Sequence, residues 1–164
     1  MYTVNRILVP VDFSNVSRAA ISAGLRIAAA VKADLWLLTV ETGMERDVRT
    51  RIDSAPDDTV VEDRIQAGER ALIEAAKLEA ERCAETGNPL PYIPVNTLVT
   101  GGNWIDMILQ NVDELNIDLI IIGTHGREEG VKGMFTQTVS EKLVNRATCS
   151  MMVVKPEGYP YLRD

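Results

Sequence analysis

The chain has 164 residues and a formal net charge of −7, from 17 basic and 24 acidic side chains. The length suits a single domain spanning residues 1–164 with a proper core. The acidic balance disfavours a nucleic-acid or anionic-membrane partner, either of which would want a basic surface. Aromatic residues make up only 5% of the chain, so Val, Ile, Leu and Ala must fill the core. Cys83 and Cys149 stand far apart in sequence and form no metal or redox motif; they read as reduced, part-buried small residues, with a disulfide as the alternative. The N-terminus carries no long apolar h-region, and no uncharged apolar run reaches membrane-spanning length. The expected location is therefore cytoplasmic.

The first predicted strand is Arg6-Ile-Leu-Val-Pro-Val11, with Pro10 tolerated near its end. Asp12-Phe13-Ser14 then turns the chain, and Ser14 is a candidate N-cap. Val16, Ala20, Ala23, Ile27 and Ala30 recur at helical spacing behind it. Leu35-Trp-Leu-Leu-Thr-Val40 is the second strand. Residues 41–59 are polar, contain Pro56 and keep no period, which predicts a mobile insertion. A long helix over 60–86 follows, with Val61, Ile65, Leu72, Ala75 and Cys83 on one face and Glu79 interrupting the stripe. Gly87-Asn88-Pro89 ends it. A third strand is predicted over 92–99, with Pro94 implying an edge or irregular position.

Gly101-Gly102-Asn103 turns the chain again, and Asn103 can cap a helix that buries Ile105, Ile108, Leu109, Val112 and Leu115. The fourth strand covers 118–122. A last helix carries Val139, Leu143, Val144 and Ala147, and a fifth strand covers 150–155 until Pro156 stops it. The tail 156–164 is expected to be extended. Strands alternating with helices predict an α/β fold, an open parallel sheet covered on both faces.

The stretch Gly123-Thr124-His125-Gly126 directly follows the apolar run 118–122. Two glycines three apart at the end of a buried strand let the backbone turn sharply and expose N–H groups. Downstream, Thr138 and Glu141 have capping-box spacing, so a helix is predicted to start at Thr138. A glycine turn facing a helix N-terminus forms a phosphate cradle. In open α/β sheets, ligands bind outside the carboxyl ends of the strands. The plainer reading of Gly123 and Gly126 is a turn from strand to surface loop. His125, the single histidine, has no partner nominated by the sequence and reads as the variable residue between glycines. Arg127 and Lys132 either steer phosphate or are simply solvated.

In order, Ile7-Leu-Val-Pro-Val-Asp-Phe-Ser14, Leu37-Leu-Thr-Val40, Thr100-Gly-Gly-Asn103, residues 118–126 and Val139-Ser-Glu leading to 151–154 resemble the universal stress protein family (the UspA domain). The resemblance covers nearly the whole chain. It implies a five-stranded sheet in the order 3-2-1-4-5, of the adenine nucleotide alpha hydrolase-like kind. It also implies a homodimer paired through the last strands, residues 150–155.

The ATP-binding branch of that family carries Gly, two residues, Gly, nine residues, then Gly and Ser or Thr. Gly123 and Gly126 match the first half. In the register that keeps Val139 in place, Gln137 stands where the branch has glycine and Thr138 at the Ser/Thr, and the segment 127–136 is one residue too long. A strict count gives Thr136-Gln137, which matches neither. Gln137 adds bulk and resists positive φ, so it degrades the cradle without abolishing it. The resemblance further implies that Pro10, Val11, Val40 and Ile122 line an adenine slot, with Val139 beside the phosphate turn. Those apolar residues are equally required by the core. Asp12 either accepts hydrogen bonds from a nucleoside or is an Asx-turn residue bonding its own backbone.

No GxxxxGK[ST] loop and no GxGxxG after the first strand is present. Lys155-Pro156 resembles response-regulator receivers, but Asp12 lacks their acidic cluster and the third strand lacks their acceptor Asp. No nucleophile–base pair or metal cluster is visible, so a dedicated enzyme is not expected and slow ATP hydrolysis is the weakest-supported reading. The leading expectation is a cytoplasmic homodimeric regulatory domain binding ATP, with Mg, or a related adenine nucleotide, and acting on an unknown protein partner. The alternative is a dimeric interaction protein that binds no nucleotide.

Overall fold

The computed structural model describes residues 3–41, 58–123 and 137–155. Strands and helices alternate as β1 (Arg6–Pro10), α1 (Asn15–Val31), β2 (Asp34–Glu41), α2 (Asp58–Glu85), β3 (Val95–Gly101), α3 (Trp104–Glu114), β4 (Leu119–Gly123), α4 (Gln137–Arg146) and β5 (Ser150–Val154). The strands form one sheet in the order β3-β2-β1-β4-β5, and every neighbouring pair is parallel. This is the order implied by the family resemblance.

The order explains the two cores. The chain steps outward from β1 to β2 to β3, and right-handed crossovers put α1 and α2 on one face. It then returns to the other side of β1, which puts α3 and α4 on the opposite face. Side chains alternate accordingly. Ile7, Val9, Leu35, Leu37 and Ile121 join Ile21, Leu25 and Leu72 in one buried cluster. Leu8, Leu38, Ile120 and Ile122 join Ile108, Val112 and Leu143 in the other. The β1–β4 junction is pinned at its amino end by Asp118, whose Oδ2 accepts from the Asn5 N–H at 2.7 Å and the Arg6 N–H at 3.0 Å.

Local chemistry sets the helix ends. Ser14 caps α1 in an extended conformation, its Oγ accepting from the Ser17 N–H. Asn103 caps α3, its side-chain oxygen accepting from Ile105 N at 3.0 Å and Asp106 N at 3.4 Å. At the end of α2, Gly87 takes φ of +79°. The Asn88 N–H then donates to Cys83 O and the Gly87 N–H to Ala84 O, each at 3.0 Å, closing orphan carbonyls in a Schellman turn. Asn103→Ala removes an acceptor serving two helix N–H groups and should cost about 1 kcal/mol. A thermal melt should show this as a fall of about 2–4 °C.

Several expectations are corrected. On α1, Val16 and Ala20 are buried as expected, but the face continues through Ile21, Gly24, Leu25 and Ala28, and Ala30 is exposed. The helix lies so close to the sheet that a Cβ on Gly24 would meet Val9 Cγ2 at 2.8 Å. The small residue therefore faces inward. β3 begins at Val95, after Pro94, which has no N–H for a ladder. Tyr92 lies outside the strand and is 93% exposed. On α4, Leu143 is fully buried while Val144 is 58% exposed, so only one of the adjacent apolar residues faces the sheet. α4 starts at Gln137, so Thr138 is its second residue rather than its cap.

Glu79 does lie on the buried stripe of α2, and Arg82 one turn on meets its carboxylate at 3.1 Å. Cys83 and Cys149 are both free. Burial pushes the Cys149 thiol pKa up, and the charges of Asp118 and Asp113 add to the rise against lowering backbone hydrogen bonds. Among the described residues, no helix is long and apolar enough to cross a membrane. Of the insertion expected at 41–59, Glu41 ends β2 and Asp58 and Thr59 open α2, while residues 42–57 and the tail 156–164 lie outside the described residues.

Candidate functional site

β1 is followed on one side by β2 and on the other by β4, so the strand order reverses between β1 and β4. At such a switch point the connections leaving the two carboxyl ends diverge to opposite faces and leave a crevice above the sheet. Pro10 closes β1 and is buried. Val11 extends the ladder by one more bond, its N–H donating to Leu38 O at 2.8 Å. The chain then turns within three residues into α1.

That turn is a small polar relay. The Ser17 N–H donates to Ser14 Oγ at 3.3 Å, and Ser14 Oγ donates to Asp12 Oδ1 at 2.6 Å. The Ser14 N–H also donates to Asp12 Oδ1, at 3.1 Å. Asp12 is thus an Asx-turn residue, and its carboxylate is fixed at the mouth of the crevice by the same network that caps α1. Between them Phe13 takes φ of 61°, a left-handed conformation, and its side chain is exposed. Such backbone costs about 1–2 kcal/mol in a residue with a Cβ. Sequence reading placed Phe13 in the turn without marking it. The signal available was a single residue left to reverse the chain between a strand-ending Asp and a helix-capping Ser.

β4 ends at Gly123 beside this turn. A Cβ there would lie 2.4 Å from Val16 O and 2.7 Å from Val16 C. Gly123 is therefore required by the close approach of β4 to the first turn of α1, a packing role distinct from phosphate contact. Ile122, fully buried, and Val40, 4% exposed, share the α3 face of the sheet. Val11 is also fully buried but belongs to the core on the α1 face. The expected apolar lining is therefore split between the two faces, with Pro10 on the Val40 and Ile122 side by alternation.

α4 approaches from the same face. Val139 packs part-buried against the second core. Ser140 is 7% exposed, and its Oγ has no hydrogen-bond partner among the described residues. Across from Val40 in the β2–β3 register, the Thr100 hydroxyl is likewise buried and unpartnered among the described residues. Sequence reading singled out neither hydroxyl, because burial without a partner depends on tertiary packing. Gln137 and Thr138 open α4 as backbone. Thr124, His125, Gly126, Arg127 and Lys132 lie outside the described residues.

Chemically, the β1–α1 turn offers a fixed carboxylate, and Val40 and Ile122 offer apolar surface on the α3 face of the sheet. Carboxylate oxygens accept from hydroxyls or amines, and helix N-terminal N–H groups favour anions. Among the described residues, no group of three or more His, Cys, Asp or Glu side chains could hold a metal ion.

Comparison with known proteins agrees with the fold. The universal stress protein family matches residues 3–155. The universal stress protein YxiE of Bacillus subtilis is 29% identical over 155 residues, covering 92% of this chain and 99% of its own. The universal stress protein UspA from Lactobacillus plantarum has a TM-score of 0.61 at 24% identity, covering 93% of this chain and 98% of its own. A universal stress protein solved in complex with cAMP reaches a TM-score of 0.61 at 17% identity, covering 94% of this chain and 99% of its own. A family protein from Arabidopsis thaliana solved with AMP bound reaches 0.55 at 20% identity, covering 94% of this chain and 93% of its own. With the motif order, the sheet order and the extent of the match in agreement, the chain belongs to the universal stress protein family.

Proposed function

We propose that this chain binds ATP or a related adenine nucleotide as a regulatory ligand, in the crevice between the carboxyl ends of β1 and β4. What supports the reading is the topological switch point itself, where the strand order reverses between β1 and β4, with Asp12 fixed just past β1 and Val40 and Ile122 together in the core on the α3 face. The cAMP and AMP complexes of two structural relatives support an adenine nucleotide as the ligand class. Asp12 would accept from ribose or adenine, Val40 and Ile122 would wall the base, and the start of α4 with Gly123 and Gly126 would receive phosphate, with Mg accompanying ATP. No residue is assigned a catalytic role. The mass of any ligand released by denaturing freshly purified protein tests the reading. An adenine nucleotide supports it, and an empty protein that takes up none at millimolar ATP supports an interaction protein without nucleotide.

The Gln137 substitution has a defined expected outcome. A helical first residue has right-handed backbone, so no positive-φ strain is released by glycine there. Gln137→Gly should leave ATP affinity unchanged or slightly lower, since glycine weakens a helix by about 1 kcal/mol. Calorimetry at matched magnesium checks this. A several-fold gain would mean that the glutamine side chain blocks the phosphates.

We also propose a homodimer paired through residues 150–155. β5 is the sheet's edge strand among the described residues, and Met152 and Val153 are 40% and 43% exposed. An exposed apolar edge invites pairing. Val153→Asp would place a charge in that junction and should weaken the dimer by roughly tenfold or more. Sedimentation equilibrium reads the change, and an unaltered dimer in the folded variant points to another surface.

A further inference from the structure

A second hollow, of about 580 Å³, lies along α1 against the C-terminal half of α2 and reaches the end of β5. Its volume falls within the range of about 300–1,000 Å³ typical of small-molecule sites. The lining is unusual for a chain of net charge −7. Arg18, Arg26, Arg82 and Lys155 all face it, against the single carboxylate of Glu79 among the described residues. That carboxylate is 5% exposed and already meets Arg82 at 3.1 Å. Arg82 also sits in the last turn of α2, where a cation complements the helix dipole.

Arg18 and Arg26 have no such explanation. With Ser22 between them they recur every four residues and so follow one stripe of α1. Their Cα atoms are separated by about 12 Å along the axis. Both are exposed, and among the described residues neither guanidinium meets a carboxylate. The floor between the helices is closed by Ser22 Oγ and Cys83 Sγ at 3.7 Å. Holding the Arg18 and Arg26 charges beside one hollow is unfavourable until a counter-charge enters. Guanidinium groups suit that task because their planar fork binds carboxylate or phosphate oxygens in pairs.

We propose that the groove between α1 and α2 is a second ligand site, taking a compact polyanion with clustered phosphate or carboxylate groups through Arg18 and Arg26. It is independent of the strand-end crevice, and its occupancy does not require that nucleotide bind there. The test is a titration of the full chain with sodium tripolyphosphate and, separately, with citrate at low ionic strength, followed by backbone amide shifts. Ser22 and Thr86, which line the groove, report on it. The expected result is saturable movement of both signals with at least one probe. The responding probe identifies phosphate or carboxylate as the preferred group. Arg18→Gln with Arg26→Gln, both on the exposed side of α1, should weaken that response by roughly tenfold or more. Stationary Ser22 and Thr86 signals with both probes, or equal movement in the double variant, would overturn the proposal.

Discussion

Gly123→Ala is expected to destabilise the folded chain by about 3 kcal/mol. The new Cβ would lie 2.4 Å from Val16 O, 2.6 Å from Val16 Cγ1 and 2.7 Å from Val16 C. Two of these are backbone atoms, so no rotamer change clears them. α1 would have to move, yet it is anchored by the Ser14 cap and by Val16, Ala20 and Ile21 buried against the sheet. Displacing it also disturbs the Ser17–Ser14–Asp12 relay, so nucleotide affinity should fall with stability. Gly87→Ala is the matched control. Its added Cβ has nothing within 4 Å, and its cost should be the φ penalty alone, about 1–2 kcal/mol. Urea unfolding of both variants reads the difference. A Gly123→Ala protein as stable as wild type would show that α1 is free to back away from β4.

Leu72→Ala should cost about as much, roughly 3 kcal/mol. α2 spans Asp58–Glu85 but has few buried anchors, of which Leu72 is fully buried and Ala76 and Cys83 are small. Truncating the one large anchor leaves a cavity that its small neighbours cannot fill. Gly68, one turn earlier, approaches Val99 so closely that a Cβ would meet Val99 Cγ2 at 2.9 Å, which fixes the height of the helix over β3. Collapse around the cavity is therefore restricted, and the loss should stay above the low end of the large-to-small range of about 2–5 kcal/mol. Chemical denaturation with the slope unchanged would confirm a loss of packing. A change within the noise of the measurement would mean that α2 is held from elsewhere.

These two sites illustrate what was legible in the sequence. Local signals transferred well. Ser14 and Asn103 cap the helices they were expected to cap, Gly87 ends α2, and the strand order 3-2-1-4-5 stands as the family motifs implied. Each depends on a few adjacent residues or on ordered motifs. Properties set by tertiary distance transferred less well. Gly123 was read as a turn glycine after a strand over 118–122, whereas it is the last residue of β4, paired with Val154, and its collision with Val16 depends on how closely β4 meets α1. Periodicity could not choose between Leu143 and Val144, because adjacent apolar residues fit a helical stripe almost equally. Glu79 interrupted an apolar stripe, and its neutralising partner was already visible three residues later at Arg82, the spacing of a helical ion pair. In the candidate site, Asp12 was read as the residue closing β1, whereas β1 ends at Pro10 and Asp12 opens the turn that follows. Its engagement by Ser14 belonged to one of two open readings, and the left-handed Phe13 and the buried Ser140 and Thr100 hydroxyls needed coordinates to be seen.

The central claim is that adenine nucleotide occupies the switch point between β1 and β4. Its most direct test is photolabelling of the wild-type chain with an azido-adenine analogue of ATP, in the presence of magnesium, followed by peptide mapping. The expected result is saturable labelling, competed by ATP, in the peptides that carry Val40 and Ile122, the two residues that share the α3 face at the strand ends. Labelling that ATP does not compete, or competed labelling confined to peptides carrying Arg18, Arg26 or Arg82 along the α1–α2 groove, would contradict it.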